Sequence, residues 1–138
     1  MVLALCLPAL SLLGFVLALA ASLSGFFPAQ ELPPPDGIYG WAAVILTSLT
    51  VGYLEETYFR LYLPERCRAA SFGPRSAFII PALIFGFCHA YEGPWGFANA
   101  LFAGLLLAAA YNKTRSFHGI ALAHGFYNIL VYLSAGLR

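Results

Sequence analysis

Six polar side chains lie in stretches that are otherwise apolar. Glu55, Glu56 and Arg60 fall in Gly52-Tyr-Leu-Glu-Glu-Thr-Tyr-Phe-Arg60, His89 ends Phe85-Gly-Phe-Cys-His89, and His124 and Asn128 bound His124-Gly-Phe-Tyr-Asn128. In a membrane helix each ionised side chain near the centre costs about 2.5–3.5 kcal/mol, so Glu55, Glu56 and Arg60 together cost roughly 7–10 kcal/mol before any pairing. An intramembrane carboxylate is read as functional by default. Glu56 and Arg60 stand four residues apart, in the favourable order for a helical ion pair. Glu55 points about 100° away from Glu56, so Arg60 can neutralise Glu56 while Glu55 faces a cavity. His124 and Asn128 share one helix face. A glutamate and two histidines can do two kinds of chemistry. Glu55, His89 and His124 form a zinc-type ligand set with an open position for water, although no HExxH helix is present. The same groups can also move protons without a metal.

The elements that must position these residues are membrane helices. The chain has 138 residues, of which 61% are hydrophobic and 9% charged. Soluble domains average about 25% charged residues, so residues 1–138 read as a single membrane domain. A net charge of +1 and the lack of a basic tract argue against a nucleic-acid partner. Cys6, Cys67 and Cys88 form no CxxC pair and read as reduced packing residues.

The hydropathy pattern predicts an all-α, polytopic transmembrane helix bundle of about five spans, with its active site inside the membrane. The expected spans are Val2–Phe27, Tyr39–Leu63, Ala77–Tyr91, Phe97–Tyr111 and His118–Leu137. The first lacks a basic n-region and is too long for a signal-peptide core, so it reads as a span. Pro33–Pro35 and Pro64 are expected to stop helices, and Glu92–Gly96 to break the third span from the fourth. The third and fourth spans look short, about 22–24 Å, which suggests that this hairpin dips into the bilayer. Arg66, Arg68, Arg75, Lys113 and Arg115 all fall on one side, and Glu31, Asp36, Glu92 and Arg138 on the other. The positive-inside rule then puts the N-terminus in the cytoplasm and the C-terminus outside. Tyr39, Trp41 and Trp95 suit an interfacial aromatic belt. At 1.5 Å per residue Glu55, His89, His124 and Asn128 fall within roughly 10 Å of one another in depth, on three different helices. Asn99 is expected to bridge helices and His118 to make an interfacial contact.

These motifs resemble the CPBP family of membrane proteins, which includes the type II CAAX prenyl endopeptidases. The family's Glu-Glu-x-x-x-Arg appears as Glu55-Glu56-Thr-Tyr-Phe-Arg60, its Phe-x-x-x-His as Phe85–His89, and its His-x-x-x-Asn as His124–Asn128. The stretch from Phe102 to Ile120 also looks like the family's segment leading into the last motif, and the resemblance covers a catalytic core of residues 39–133. One departure is Leu61, where bacterial members usually carry glycine. With few spans, the chain looks like a minimal core. The resemblance implies an intramembrane endopeptidase acting on membrane-anchored or lipidated peptides, of CAAX type or in bacteriocin or sorting-signal processing. It implies that Glu55 is the base, that His89 helps polarise the water, that His124 and Asn128 stabilise the oxyanion, and that Glu56 with Arg60 supports them. A metal-free mechanism is favoured, with zinc on Glu55, His89 and His124 as the alternative. The expected setting is a prokaryotic plasma membrane, with lipid and a membrane-anchored peptide as partners. The competing readings are a non-catalytic immunity or scaffold protein that keeps the fold, and a small proton relay.

Overall fold

The computed structural model describes residues 1–25 and 35–135, and these contain helices and no strand. The helices are α1 (Val2–Ser24), α2 (Gly37–Glu56), α3 (Leu63–Ala69), α4 (Pro74–Cys88), α5 (Gly93–Thr114) and α6 (Phe117–Ala135). A π-helical turn, Thr57–Tyr62, joins α2 to α3 without a break, so Gly37–Ala69 is one helix of 33 residues. Val2–Ser24, Gly37–Ala69 and Ala90–Thr114 are each long and apolar enough to cross a membrane, while α4 is apolar but shorter. Large apolar side chains such as Leu12, Phe15, Leu46, Leu54 and Phe87 lie exposed on the outside. Lipid tails are as apolar as leucine, so this surface suits hydrocarbon. The protein is an all-α membrane helix bundle.

Three boundaries depart from the sequence expectation. Pro64 does not end the second span. Proline lacks an N–H, and its ring crowds the carbonyl four residues earlier, here that of Arg60. The wider π turn makes room: the Leu63 N–H bonds Tyr58 O, five residues back, and the helix runs on to Ala69. The fourth span begins at Gly93 rather than Phe97. Pro94 sits in the first turn of α5, where a missing N–H costs nothing, and Gly93 adopts φ 84° to make the corner. The break from α4 is instead a 3-10 turn, Ala90–Glu92. Finally, α1 stops at Ser24, with Gly25 left-handed as its cap. The expected loop residues Gln30 to Pro34, including Glu31, lie outside the described residues, as do Phe27 and the terminal Gly136 to Arg138.

Two packing arrangements position the site. α2 lies tightly on α6 because Gly52 meets Gly125: a Cβ added at Gly52 would sit 2.8 Å from the Gly125 backbone N and 2.9 Å from Ala121 O. Small residues let membrane helices approach in this way. α1 rests against α5 and α6, where Val2, Cys6 and Leu10 bury against Ala103, Leu107, Ile120 and Ala123. Tyr127 Oη donates to Asn99 Oδ1 at 3.2 Å and ties α6 to α5. Cys6 and Cys67 are buried, whereas Cys88 lies exposed on α4.

Gly52→Ala should lower the thermal unfolding midpoint in detergent, followed by helical circular dichroism. The atoms in the way belong to backbone and cannot swing aside, and overpacking of this kind costs about 1–3 kcal/mol. Gly73→Ala is the control, because nothing lies within 4 Å of its added Cβ.

Candidate active site

The Gly52–Gly125 contact brings the C-terminal end of α2 against the middle of α6, and two pairs of polar groups meet there. Glu56 has 0% of its surface exposed and Arg60 has 4%. Arg60 Nε lies 2.9 Å from Glu56 Oε2, and Nη2 donates to Glu56 Oε1 at 3.4 Å. The Nε contact is an ion pair without hydrogen-bond alignment, and Arg60 Nη1 is buried with no hydrogen-bond partner among the described residues. From α6, His124 Nδ1 donates to the same Glu56 Oε1 at 2.9 Å. Helical spacing assigned Glu56 to Arg60 alone. In the structure this carboxylate holds Arg60 and His124 together.

The far side of the His124 ring faces Glu55, whose Oε2 lies 3.5 Å from Nε2. Glu55 is the half-open member of the group, with 26% of its side chain exposed. It lines an open groove of about 560 Å³ that runs along α2 and the π turn past Leu54, Tyr58, Phe59 and Tyr62. Glu55 also lies within electrostatic reach of His89, Glu56 and Arg60.

His89 follows the last turn of α4, and its Nδ1 bonds Phe85 O at 2.9 Å. A carbonyl only accepts, so Nδ1 carries the proton and Nε2 keeps its lone pair for another partner. Phe85, 2% exposed, fixes both imidazoles: its ring meets His89 edge-on at 4.6 Å and His124 at 5.8 Å. Phe59 packs on it at 4.9 Å, and the Arg60 guanidinium lies 5.9 Å from its centroid. Asn128 is one turn beyond His124 and half-buried, and its amide makes no hydrogen bond among the described residues. From α1, Cys6 is buried in the apolar contact with α5 and α6.

The structure thus brings Glu55, Glu56, Arg60, His89 and His124 to one place, with Asn128 on the adjoining turn. Asn99 is engaged by Tyr127, and His118 lies exposed at the start of α6, 3.1 Å from Tyr53 Oη. Sequence reasoning missed Phe85 as the support for both rings and missed the His124–Glu56 bond. The signal that could have found the bond is Gly52, one turn before Glu56, opposite Gly125, next to His124.

Among the described residues, no three His, Cys, Asp or Glu side chains are disposed to hold a metal ion. His124 holds Nδ1 on the Glu56 carboxylate and turns Nε2 toward Glu55, and His89 holds Nδ1 on the Phe85 carbonyl.

The polar cluster is sealed between apolar helices and opens on one carboxylate, Glu55. A family model described as type II CAAX prenyl endopeptidase Rce1-like matches residues 37–130, and the chain belongs to that family of CAAX-type intramembrane proteases. No curated protein and no solved structure matches the chain. The matched segment spans α2 to α6, and α1 packs on it from outside.

Removing Arg60 leaves the Glu56 carboxylate buried with half of its compensation gone. Breaking one partner out of a buried pair costs about 3–5 kcal/mol. Arg60→Leu should therefore lower the thermal midpoint in detergent sharply, while Glu55→Gln, outside that pair and partly exposed, should unfold near the wild-type temperature.

Proposed function

We propose that the protein is an intramembrane endopeptidase that hydrolyses a peptide bond in a membrane-anchored or lipidated peptide, with Glu55 activating the water. The observation that carries this reading is the position of Glu55, one side on the buried His124–Glu56–Arg60 group and the other on an open groove. A base must reach both a fixed set of helpers and an incoming substrate.

In this mechanism a water molecule lies between Glu55 and the free Nε2 of His89. Glu55 takes a proton from the water as its oxygen attacks the scissile carbonyl carbon, and the carbonyl oxygen becomes an oxyanion. Asn128 donates its amide N–H to that oxyanion. His124 joins as a donor from Nε2 in its doubly protonated form, since Nδ1–H is held by Glu56. The Glu56 carboxylate offsets that imidazolium charge, and Arg60 offsets Glu56. Collapse of the tetrahedral intermediate breaks the C–N bond, and the proton on Glu55 passes to the leaving amine. One water is consumed, and the new ends are a carboxylic acid and an amine. No resident metal takes part in these steps.

The groove lies on the outer face of the α2 helix, beside exposed Leu54, so a substrate embedded in lipid enters sideways. The basic residues Arg66, Arg68, Arg75, Lys113 and Arg115 face the cytoplasm, with the N-terminus inside.

Glu55→Gln should abolish cleavage of a lipidated reporter peptide by purified, normally folded protein, and Asn128→Ala should reduce kcat about 10²–10³-fold. The wild-type rate should survive a strong chelator. Cleavage by Glu55→Gln at the wild-type rate overturns the reading, and loss on chelation that zinc restores overturns its metal-free form. For the topology, Lys113→Cys is introduced after replacing Cys6, Cys67 and Cys88 by serine. Its thiol should resist an impermeant reagent applied outside intact cells and react after lysis.

A further inference from the structure

We infer that Gly14 on α1 and Tyr127 on α6 are positioning residues that aim the Asn128 amide, which makes α1 a working part of the active site. α1 lies outside the segment that the family model matches. It nevertheless fills the space between α5 and α6, which touch each other more sparingly than either touches α1. It follows α6 from Val2, which crowds Gly119, to Gly14, which receives the Tyr127 hydroxyl. A Cβ added at Gly14 would strike that oxygen and lie 3.2 Å and 3.3 Å from the ring atoms Cζ and Cε2. Only a residue without a side chain leaves this notch open. The hydroxyl seated in it donates to Asn99 Oδ1 at 3.2 Å, and no other side-chain hydrogen bond joins α5 to α6 among the described residues.

Asn128 needs an external guide. Its amide makes no hydrogen bond among the described residues, so it points wherever the roll of α6 about its axis puts it. Ala121 and Gly125 meet α2, and His124 on the same side is held by Glu56 at 2.9 Å. Ile120, Ala123 and Tyr127 turn the other way, toward α1. The contacts at Gly52 and Glu56 therefore hold one side of α6, and the Tyr127 hydroxyl, one residue before Asn128, holds the opposite side. A side-chain end lies about 5–6 Å from its helix axis, so a roll of roughly 10° carries the amide about 1 Å. A displacement of that size can cost about 10²-fold in rate. Gly14→Ala differs from Gly52→Ala in what stands in the way. At Gly52 it is backbone; at Gly14 it is the end of a side chain, which yields by giving up its bond to Asn99. This assignment rests on Asn128 as an oxyanion donor in the proposed reaction.

The test uses the full protein in phosphatidylcholine nanodiscs and a lipidated reporter peptide. A second peptide carries a phosphinate in place of the scissile amide and mimics the tetrahedral oxyanion. Tyr127→Phe, which keeps the ring and loses the hydroxyl, should lower kcat about tenfold or more with KM nearly unchanged. It should weaken phosphinate binding by a similar factor, and made in the Glu55→Gln protein it should leave binding of the amide peptide unchanged. Gly14→Ala should reproduce both effects; if it does not fold, Tyr127→Phe carries the test. Added to Asn128→Ala, Tyr127→Phe should cost nothing further, because the donor it aims is gone. Wild-type kcat and phosphinate affinity in a folded Tyr127→Phe protein overturn the inference and leave the proposed function standing. So does a loss that multiplies in full with that of Asn128→Ala, which makes the Tyr127–Asn99 bond a general brace, and so does a loss confined to KM. Tight phosphinate binding that depends on Tyr127 and Asn128, without cleavage by wild type, upholds the aiming of Asn128 and removes the catalytic role of Glu55. A wild-type protein that neither cleaves the amide nor prefers the phosphinate overturns the proposed function and the inference together.

Discussion

Glu56 is a carboxylate with no exposed surface in a bundle built for hydrocarbon. Such a charge persists only where its surroundings replace the water it has lost. Here Arg60 supplies the counter-charge from its own helix, and His124 supplies a hydrogen bond from another. Each requirement constrains the fold. Arg60 must reach back one turn, and α6 must come close enough for an imidazole to bridge the gap. The Gly52–Gly125 contact makes that distance possible. Glu56 is therefore less a passive brace than the joint between α2 and α6, and the position of Glu55 follows from it, because the two glutamates share a backbone.

A second support is apolar. Phe85 contacts two imidazoles and a guanidinium through the edge and face of one ring, and its own carbonyl holds the His89 proton. It orients each without consuming a further polar valence, and the His89 Nε2 is left without a hydrogen-bond partner among the described residues. The motif spacing of Phe85 and His89 then has a physical reason: four residues along a helix is the distance from a carbonyl to the side chain one turn on.

The spans and the polar residues within them could be read from the sequence because hydrocarbon excludes charge, so every exception stands out. Glu55, His89 and His124 were visible as exceptions for that reason. Their partnerships were not. Helical spacing reports only neighbours on the same helix, so Glu56–Arg60 could be foreseen and Glu56–His124 could not. Pro64 misled because a local rule, that proline stops a helix, was overridden by a change of helix type that no single residue encodes. Gly93 and Pro94 misled in the opposite sense: residues that look like a break were the start of α5.

That change of helix type does more than accommodate a proline. A π turn carries one residue more than an α turn over the same span, so it rotates everything beyond it relative to everything before it. The segment Gly37–Ala69 is thus two helices in series with an offset of phase. Its first part is aimed inward, where its glutamates meet α6; its second part buries Pro64 and Cys67, packs on α4 and leaves Glu65, Arg66 and Arg68 exposed. The buried register of the glutamates and the exposed face beyond them are set separately along a single continuous rod.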